Sequence, residues 1–290
     1  MMPFRRPTFI VSSLIKTLFK DKYPGKTFLL IGLALILPVI LMAIFAPFIS
    51  PYDPTKSVAD PLKPPDKLCP FGTDNLGRDI LSRVIWGSRV VLAVVLLSTA
   101  LSAMIGIPLG LLSGYVGGKV DRVLAMIMDS MYAFPGLILA IALASVLGPS
   151  IINAAVAIAV VYIPIYFRMT RGPTLQIKEQ TYVESAYAAG ASSFRIMFRH
   201  ILPNVVPTLS VVLTLNMADA ILTEAGLSFL GFVVVPPTPD WGFDLRAGQP
   251  FLPAGYWWPI TFPGFFILLL SLGFGLIGEG LNDMLAGKEI

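Results

Sequence analysis

Long apolar runs divide this 290-residue chain, and they constrain its fold more than any other feature of the sequence. Only 13% of the residues are charged, whereas soluble domains carry about 25%. A run of about 20 apolar residues can cross the hydrocarbon core of a bilayer as a helix. Backbone groups find no water there, so each run is predicted to be helical. We therefore predict an all-α polytopic membrane protein with six spans, at 27–48, 88–114, 123–147, 151–170, 205–232 and 259–282.

The distribution of basic residues predicts the orientation of these spans. With the N-terminus inside, 14 of the 21 Lys and Arg residues fall in the inner segments and seven in the outer ones. An excess of Lys and Arg marks cytoplasmic segments, so both termini are predicted to be cytoplasmic. The basic leader, 1–26, precedes an apolar run of 27–49, which is too long for the core of a cleavable signal. We expect a retained first span and a multi-pass protein of the cell (plasma or inner) membrane.

Several functional classes are excluded by composition. The net charge of +4 is spread through the connecting loops, which argues against a nucleic-acid partner. Cys69 is the single cysteine and His200 the single histidine, which excludes an internal disulfide and a Cys-based or multi-His metal site. A phosphate-binding loop and a nucleophile elbow are also missing. We expect no catalytic residues, so any chemical energy that the protein uses must come from a partner.

Two proline-rich segments lie on the predicted outer side. The first, 50–89, is predicted to form an irregular strap and then a short helix carrying Asp79 to Arg83, because prolines favour extended or turn geometry. The second is 233–258, and its tryptophans are predicted to belong to an interfacial aromatic belt: Trp241, Trp257 and Trp258.

Small residues within the spans predict close helix packing. Gly106 and Gly110 form a GxxxG pair, which Gly114 extends. Such spacing lets two helix backbones approach closely. We favour packing within the bundle, and a face for a second subunit is the alternative. A tight outer turn is predicted at Gly148-Pro149-Ser150, between the third and fourth spans.

The inner segment 172–204, which we call the coupling loop, is long for a helix connection. Residues Glu179 to Ala189 favour a helix that ends at Gly190, a natural C-terminal cap. Ser192 can cap a second short helix, and Pro203 is predicted to stop it before the fifth span. These residues alone leave two partners open: a groove on another protein, or the lipid surface.

The coupling loop resembles a known motif. Residues 182–191, Tyr-Val-Glu-Ser-Ala-Tyr-Ala-Ala-Gly-Ala, and 198–204, Phe-Arg-His-Ile-Leu-Pro-Asn, are similar to the EAA loop of ABC importer permeases. Glu184, Ala186, Gly190, Leu202 and Pro203 stand at the family spacing. The sequence departs from the pattern at Ser185, which replaces the first alanine, and at His200, where many members have isoleucine.

Further blocks resemble the C-type permease of the dipeptide and oligopeptide branch. They are Phe71 to Asp79, Gly114 to Gly118, Ala133 to Gly136, Leu227 to Gly231 and Pro236 to Gly242. The resemblance implies the type I importer permease fold, with a first helix and outer loop at 27–87, a five-helix core at 88–283 and a cytoplasmic tail at 284–290.

The resemblance also implies partners and site residues. A B-type permease, two cytoplasmic ATPases, an extracellular or periplasmic binding protein and the lipid bilayer are the expected partners. ATP and Mg²⁺ would belong to the ATPases, and this chain would hold no cofactor. The residues expected to couple to the ATPases are Tyr182, Val183, Glu184, Ser185, Ala186, Tyr187, Gly190, Arg195, Leu202 and Pro203.

Polar residues in the fifth span are candidates for the translocation path. Asn216 and Asp219 share a helix face, and Glu224 is near it. Polar residues in a membrane are expensive and often functional, although hydrogen bonding between helices is the alternative. The branch implies di- or oligopeptide import, with oligosaccharides or nickel as alternatives. A stand-alone channel or secondary transporter would need no coupling loop and would usually show inverted repeats. A membrane enzyme would need clustered catalytic groups.

Overall fold

A computed structural model describes residues 25–286 of the chain, so most of the predicted leader and the last residues of the tail, 287–290, lie outside them. The described residues are helical and loop-forming, with no strand beyond two isolated bridges. The helices are α1 Lys26–Ile49, α2 Ile80–Val116, α3 Gly118–Tyr132, α4 Gly136–Leu147, α5 Ile151–Ile177, α6 Thr181–Ala188, α7 Ser193–Phe229, α8 Trp241–Gly248 and α9 Trp258–Ala286.

The described helices give an all-α membrane fold. Five of them, α1, α2, α5, α7 and α9, are long and apolar enough to cross a membrane, and the bent pair of α3 and α4 makes six if it counts as one span. The helices extend beyond the apolar runs because polar residues at both ends continue the helical hydrogen bonding. Gly148 forms the turn after α4 in a left-handed conformation, and Ser150 caps α5 by accepting from the Ile152 amide.

The prediction of one continuous third span was wrong. α3 and α4 meet at an angle of 88° across the break at 133–135. Pro135 has no amide hydrogen and restricts Phe134 before it, which favours a break between α3 and α4 at this point. Two ion pairs hold α3 against α5: Asp121 with Arg171, and Asp129 with Arg168 at 2.8 Å.

The short helix expected from Asp79 to Arg83 is not a separate element. The side chain of Asp79 instead caps the 37-residue α2, accepting from the Ser82 amide at 2.8 Å. Residues 80–90 contain no proline, and a single glycine, Gly87, is tolerated within a helix. The helix therefore runs unbroken from its cap into the membrane span.

The glycine stripe of α2 packs against α5 of the same chain. A Cβ atom at Gly106 would lie 2.6 Å from Cβ of Tyr166, and one at Gly110 would lie 2.6 Å from the carbonyl oxygen of Phe167. Gly114 is in similar contact with Thr174. These glycines therefore pack within the bundle, which is the alternative that the sequence favoured.

We predict that Gly110→Ala destabilises the bundle. The new methyl group would overlap the backbone of α5, and overpacking of this kind costs about 1–3 kcal/mol. Gly172→Ala on α5 is the matched control, because no neighbouring atom lies within 4 Å of the place that its Cβ would take. The measurement is the thermal unfolding midpoint of the purified protein. Equal midpoints for Gly110→Ala and the control would contradict a close contact.

The outer strap, residues 50–78, is irregular as predicted; polar contacts hold it together internally, and an aromatic contact attaches it to α9. Thr73 donates to the carbonyl oxygen of Asp60 at 2.7 Å. Asp74 accepts from the guanidinium of Arg78 at 2.6 Å, and the Phe71 ring stacks on Phe262 of α9 at 3.9 Å. These contacts give the strap one defined position on the bundle.

Arg83 joins both proline-rich segments to α2. Its side chain is 1% exposed and donates to Asp244 of α8, to the carbonyl oxygen of Pro54 at 3.0 Å and to that of Pro237 at 3.2 Å. Burial raises the pKa of Asp244 to about 6, although the Arg83 guanidinium acts in the opposite direction. Desolvation of a buried ion pair offsets much of its attraction, so the pair serves mainly to fix positions.

Two of the three tryptophans assigned to an aromatic belt are in the protein interior. Trp241 is fully buried and donates to the carbonyl oxygen of Val84 at 2.9 Å. Trp258 is 7% exposed and donates to that of Thr73 at 3.1 Å. Trp257 is 48% exposed. The belt prediction was wrong for Trp241 and Trp258 because each indole nitrogen finds a buried carbonyl partner.

Candidate functional site

The coupling loop is anchored to the bundle by apolar side chains. Val183 of α6 is 4% exposed, and it packs in one cluster with Leu111 of α2 and with Ile196, Ile201 and Val205 of α7. α6 is only eight residues long, and short helices need tertiary contacts for stability. The anchor therefore presents α6 at a fixed place beside the ends of α2 and α5.

Gly190 makes the turn after α6, as predicted. Its φ of 82° lies in the left-handed region, which favours glycine. The Ala191 amide donates back to the carbonyl oxygen of Ala186 at 3.1 Å, and that of Gly190 donates to Tyr187 at 2.9 Å. This pair of bonds is typical of a glycine-terminated helix. Ser192 then caps α7 by accepting from the Arg195 amide.

The opposite face of the loop is exposed. Tyr187 is 71% exposed and Phe194 67%, and the Phe194 ring lies 4.5 Å from that of Phe198. Exposed aromatic rings at the end of a bundle are typical of a protein-binding surface. Of the residues expected to couple to ATPases, the following are exposed: Tyr182, Glu184, Ser185, Tyr187, Gly190 and Arg195. Val183 is buried, and Ala186, Leu202 and Pro203 are half-buried.

Pro203 does not stop the second helix, and this prediction was wrong. A π-helical turn, Ile196–Ile201, follows the first residues of α7, and α-helical bonding restarts at Leu202. Pro203 is thus in the first turn of the new segment, where a missing amide hydrogen carries little penalty. α7 consequently continues from the coupling loop through the membrane to Phe229.

A small polar network closes the base of the coupling loop. The side-chain amide of Asn204 donates to the carbonyl oxygen of His200 at 2.7 Å and to the Tyr182 hydroxyl at 3.1 Å. Partial burial raises the pKa of Tyr182, and the bond from Asn204 opposes that rise. Tyr182 is thereby tied to α7 at the π-helical turn.

The structure does not bring the three predicted path residues into one cluster. Asn216 is 9% exposed and faces the Tyr166 hydroxyl of α5. Neither the Asn216 amide nitrogen nor that hydroxyl makes a hydrogen bond of standard geometry within the described residues. Glu224 is fully buried nearer the other end of α7. Only Asp219 is exposed.

Asp219 belongs to an exposed stripe of α7, formed with Leu215 and Leu222. Its carboxylate accepts from the hydroxyl of Tyr162 at 2.7 Å, and the same hydroxyl lies 3.0 Å from that of Thr223. A carboxylate facing lipid is costly, so such residues face a water-filled cavity or another protein. The stripe is therefore a surface for water or protein.

The roles of four polar residues at the outer end and on α5 and α7 were not predicted from the sequence. Tyr162 and Thr223 orient Asp219, and no spacing in the sequence links α5 to α7. Asp240 carries a usable signal, because an Asp directly before Trp-Gly-Phe is a good helix cap. Arg83 was assigned to a short helix of the outer segment, and its partner Asp244 is 161 residues away.

Comparisons with protein families match two parts of the chain. A family described as the binding-protein-dependent transport system inner membrane component matches residues 106–288. A second, described as the N-terminal TM domain of oligopeptide transport permease C, matches residues 26–65. The first match includes the coupling loop, the glycine stripe and all of α7.

Curated relatives match almost the whole chain. The dipeptide transport system permease protein DppC of Haemophilus influenzae is 44% identical, over 89% of this chain and 90% of its own. The di/tripeptide transport system permease protein DppC of Pseudomonas aeruginosa is 39% identical, over 99% and 96%. The glutathione transport system permease protein GsiD of Pectobacterium atrosepticum is 40% identical, over 87% and 84%.

A solved structure shares the fold. A chain of the methionine ABC transporter MetNI, in an inward-facing conformation, aligns with a TM-score of 0.56 at 20% identity. The alignment covers 68% of this chain and 93% of the other. The architecture described above is thus that of an ABC importer permease.

Proposed function

We propose that this chain, which belongs to the family of binding-protein-dependent transport system inner membrane components, imports peptides as the C-type permease of an ATP-binding-cassette importer. The single observation that carries the proposal is the anchored coupling loop, whose exposed face is fixed at the end of the helix bundle. A channel or secondary transporter would have no use for such a loop.

Peptides are the substrate class that we favour. The relatives are named as dipeptide, di/tripeptide and glutathione permeases, and glutathione is itself a peptide. Each matches this chain over most of its length. Oligosaccharides and nickel, which the sequence left open, therefore rank below peptides.

The proposed machine divides the work between subunits. A B-type permease would complete the translocation path with this chain, and two cytoplasmic ATPases would bind ATP and Mg²⁺. The importer would lie in the plasma or inner membrane. A binding protein would deliver the peptide to the outer strap and residues 233–258. This chain would hold no cofactor, and its loop would transmit force.

We predict that the chain co-purifies from mild detergent with a second permease and two ATPases. Reconstituted with them and with its binding protein, it should take up peptide only when ATP is present. Mass spectrometry of molecules retained by the binding protein would identify the ligand. Solute transport by this chain alone in liposomes, without ATP, would exclude the proposal.

The exposed face of α6 supports a docking role for the loop. Glu184 and Tyr187 are exposed beside the buried Val183 anchor, so they are available to a groove on an ATPase. The positive φ at Gly190 fixes the direction in which the chain leaves that face. We propose that this face, with Ser185, Arg195 and the half-buried Ala186 and Leu202, is the coupling surface.

We predict that Glu184→Arg and Gly190→Trp lower ATP-dependent uptake. Residues at the centre of an interface contribute about 2 kcal/mol or more, so at least a roughly tenfold loss is expected. Gly148→Trp is the matched control for Gly190→Trp, since Gly148 also has a positive φ and open space around it and lies outside the proposed contact surfaces. The assay is peptide uptake normalised to membrane-inserted protein, and uptake unchanged in both variants would argue against docking.

We propose that the exposed stripe of α7 faces the translocation path. Asp219 is a charged group on a membrane span, and Tyr162 and Thr223 hold its carboxylate in place. A carboxylate there would attract the terminal ammonium of a peptide. Asn216 and Glu224 would lie behind this surface.

The path can be tested with one introduced thiol, because the native Cys69 is 1% exposed and burial raises its pKa. Thiol reagents react with the thiolate, which forms in water and not in lipid. We predict that Asp219→Cys in the assembled importer reacts faster with a charged thiol reagent than Leu37→Cys on α1, a side chain 56% exposed on an apolar helix. Equal rates would contradict a water-lined path at Asp219.

A further inference from the structure

Two fully buried carboxyl groups meet where α7 passes the start of α8. Glu224 of α7 and Asp240, the cap of α8, are both 0% exposed. Ser228, one turn after Glu224 on α7, donates to the Asp240 carboxylate, and Ala225 of α7 packs against Gly242 of α8, so the two carboxyl groups face each other. The proposed transport function assigns no role to either carboxyl group, so their pairing requires its own explanation.

The two carboxyl groups differ in their hydrogen bonds. Oδ1 of Asp240 accepts from the Ser228 hydroxyl, from the Gly242 amide at 3.0 Å and from the Phe243 amide at 3.1 Å. Oδ2 of Asp240 and both oxygens of Glu224 accept no hydrogen bond within residues 25–286. The donors thus all lie on one side of the pair, with the Asp240 carboxylate.

No cation of the described residues neutralises this pair. Arg83 of α2 is directed to Asp244, Pro54 and Pro237. Within the same part of the chain, no group of three acidic, His or Cys side chains could hold a metal ion. The charged residues of α9, Glu279 and Asp283, lie near its other end.

Two ionised carboxylates cannot remain in contact in a buried site without a cation. We propose that Glu224 carries a proton at neutral pH and donates it in a hydrogen bond to Oδ2 of Asp240. Asp240 is the acceptor because three donors already stabilise its ionised form. A hydrogen bond from a neutral acid to a carboxylate is short and strong.

This shared proton would latch the outer part of α7 to α8. The adjoining backbones are already in close contact, because a Cβ atom at Gly242 would overlap the carbonyl oxygen of Ala225. The latch joins the span that starts in the coupling loop to the segment that follows it, 230–240. Glu224 is thus a positioning residue, and its neutral form is the one that donates the hydrogen bond to Asp240.

The test compares Glu224→Gln, whose amide can donate to Asp240, with Glu224→Ala, which cannot. Both are made in the full-length chain and purified with the subunits that co-purify with it. Infrared difference spectroscopy at neutral pH in D₂O reports the carboxylic acid C=O band. Hydrogen–deuterium exchange reports opening of residues 230–243. Glu279→Gln, at an exposed acid, is the matched control.

We expect an acid C=O band in the native protein that disappears in Glu224→Gln and persists in Glu279→Gln. Amide exchange in 230–243 should stay native in Glu224→Gln and rise at least about tenfold in Glu224→Ala, since a hydrogen bond to a charged group is lost. Absence of the band would overturn the shared proton. Exchange raised equally in Gln and Ala variants, or in neither, would overturn the latch.

Discussion

The backbone of α2 lies against that of α5 at three glycines, and this contact sets the positions of both ends of the bundle. In lipid the hydrophobic effect does not drive helices together, so close packing of small residues supplies much of the association. At one end, α5 leads into the coupling loop, and the loop's Val183 packs on Leu111 of α2. At the other end, α2 begins with Arg83, which holds the strap and α8. A displacement of one helix relative to the other would therefore shift both the coupling loop and the outer strap with α8.

The two ends of the molecule are assembled with different chemistry. The outer end depends on buried polar groups: the Arg83 guanidinium, the Asp79 cap and the indole nitrogens of Trp241 and Trp258. Such groups tolerate only geometries in which their hydrogen bonds are satisfied, so they specify one arrangement of strap and helices. The inner end depends on aliphatic side chains around Val183 and Ile196. Apolar contacts are non-directional, which suits the docking role proposed for this loop.

The helical class, the positions of the other spans and the coupling loop could be predicted from the sequence. Apolar runs and caps such as Ser192 and Gly190 are local signals. The third span could not be predicted correctly, since an apolar count does not register the effect of Pro135 on helix direction. Pro203 was misjudged for the converse reason: the π-helical turn before it reset the hydrogen bonding, and tertiary contacts of Ile196 and Ile201 support that turn. Trp241 and the Arg83–Asp244 pair depend on contacts more than 150 residues apart, which no window of sequence contains.

The unbroken course of α7 has a mechanical consequence. Its 37 residues, at 1.5 Å per residue, make a rod about 55 Å long, with one end in the coupling loop and the other beside Glu224. A stiff helix of that length can act as a lever. A tilt of about 10° about its midpoint would move its two ends by roughly 5 Å each, in opposite directions. Asp219 lies about 12 Å from that midpoint, so the same tilt would move it by only about 2 Å, less than half as far as either end.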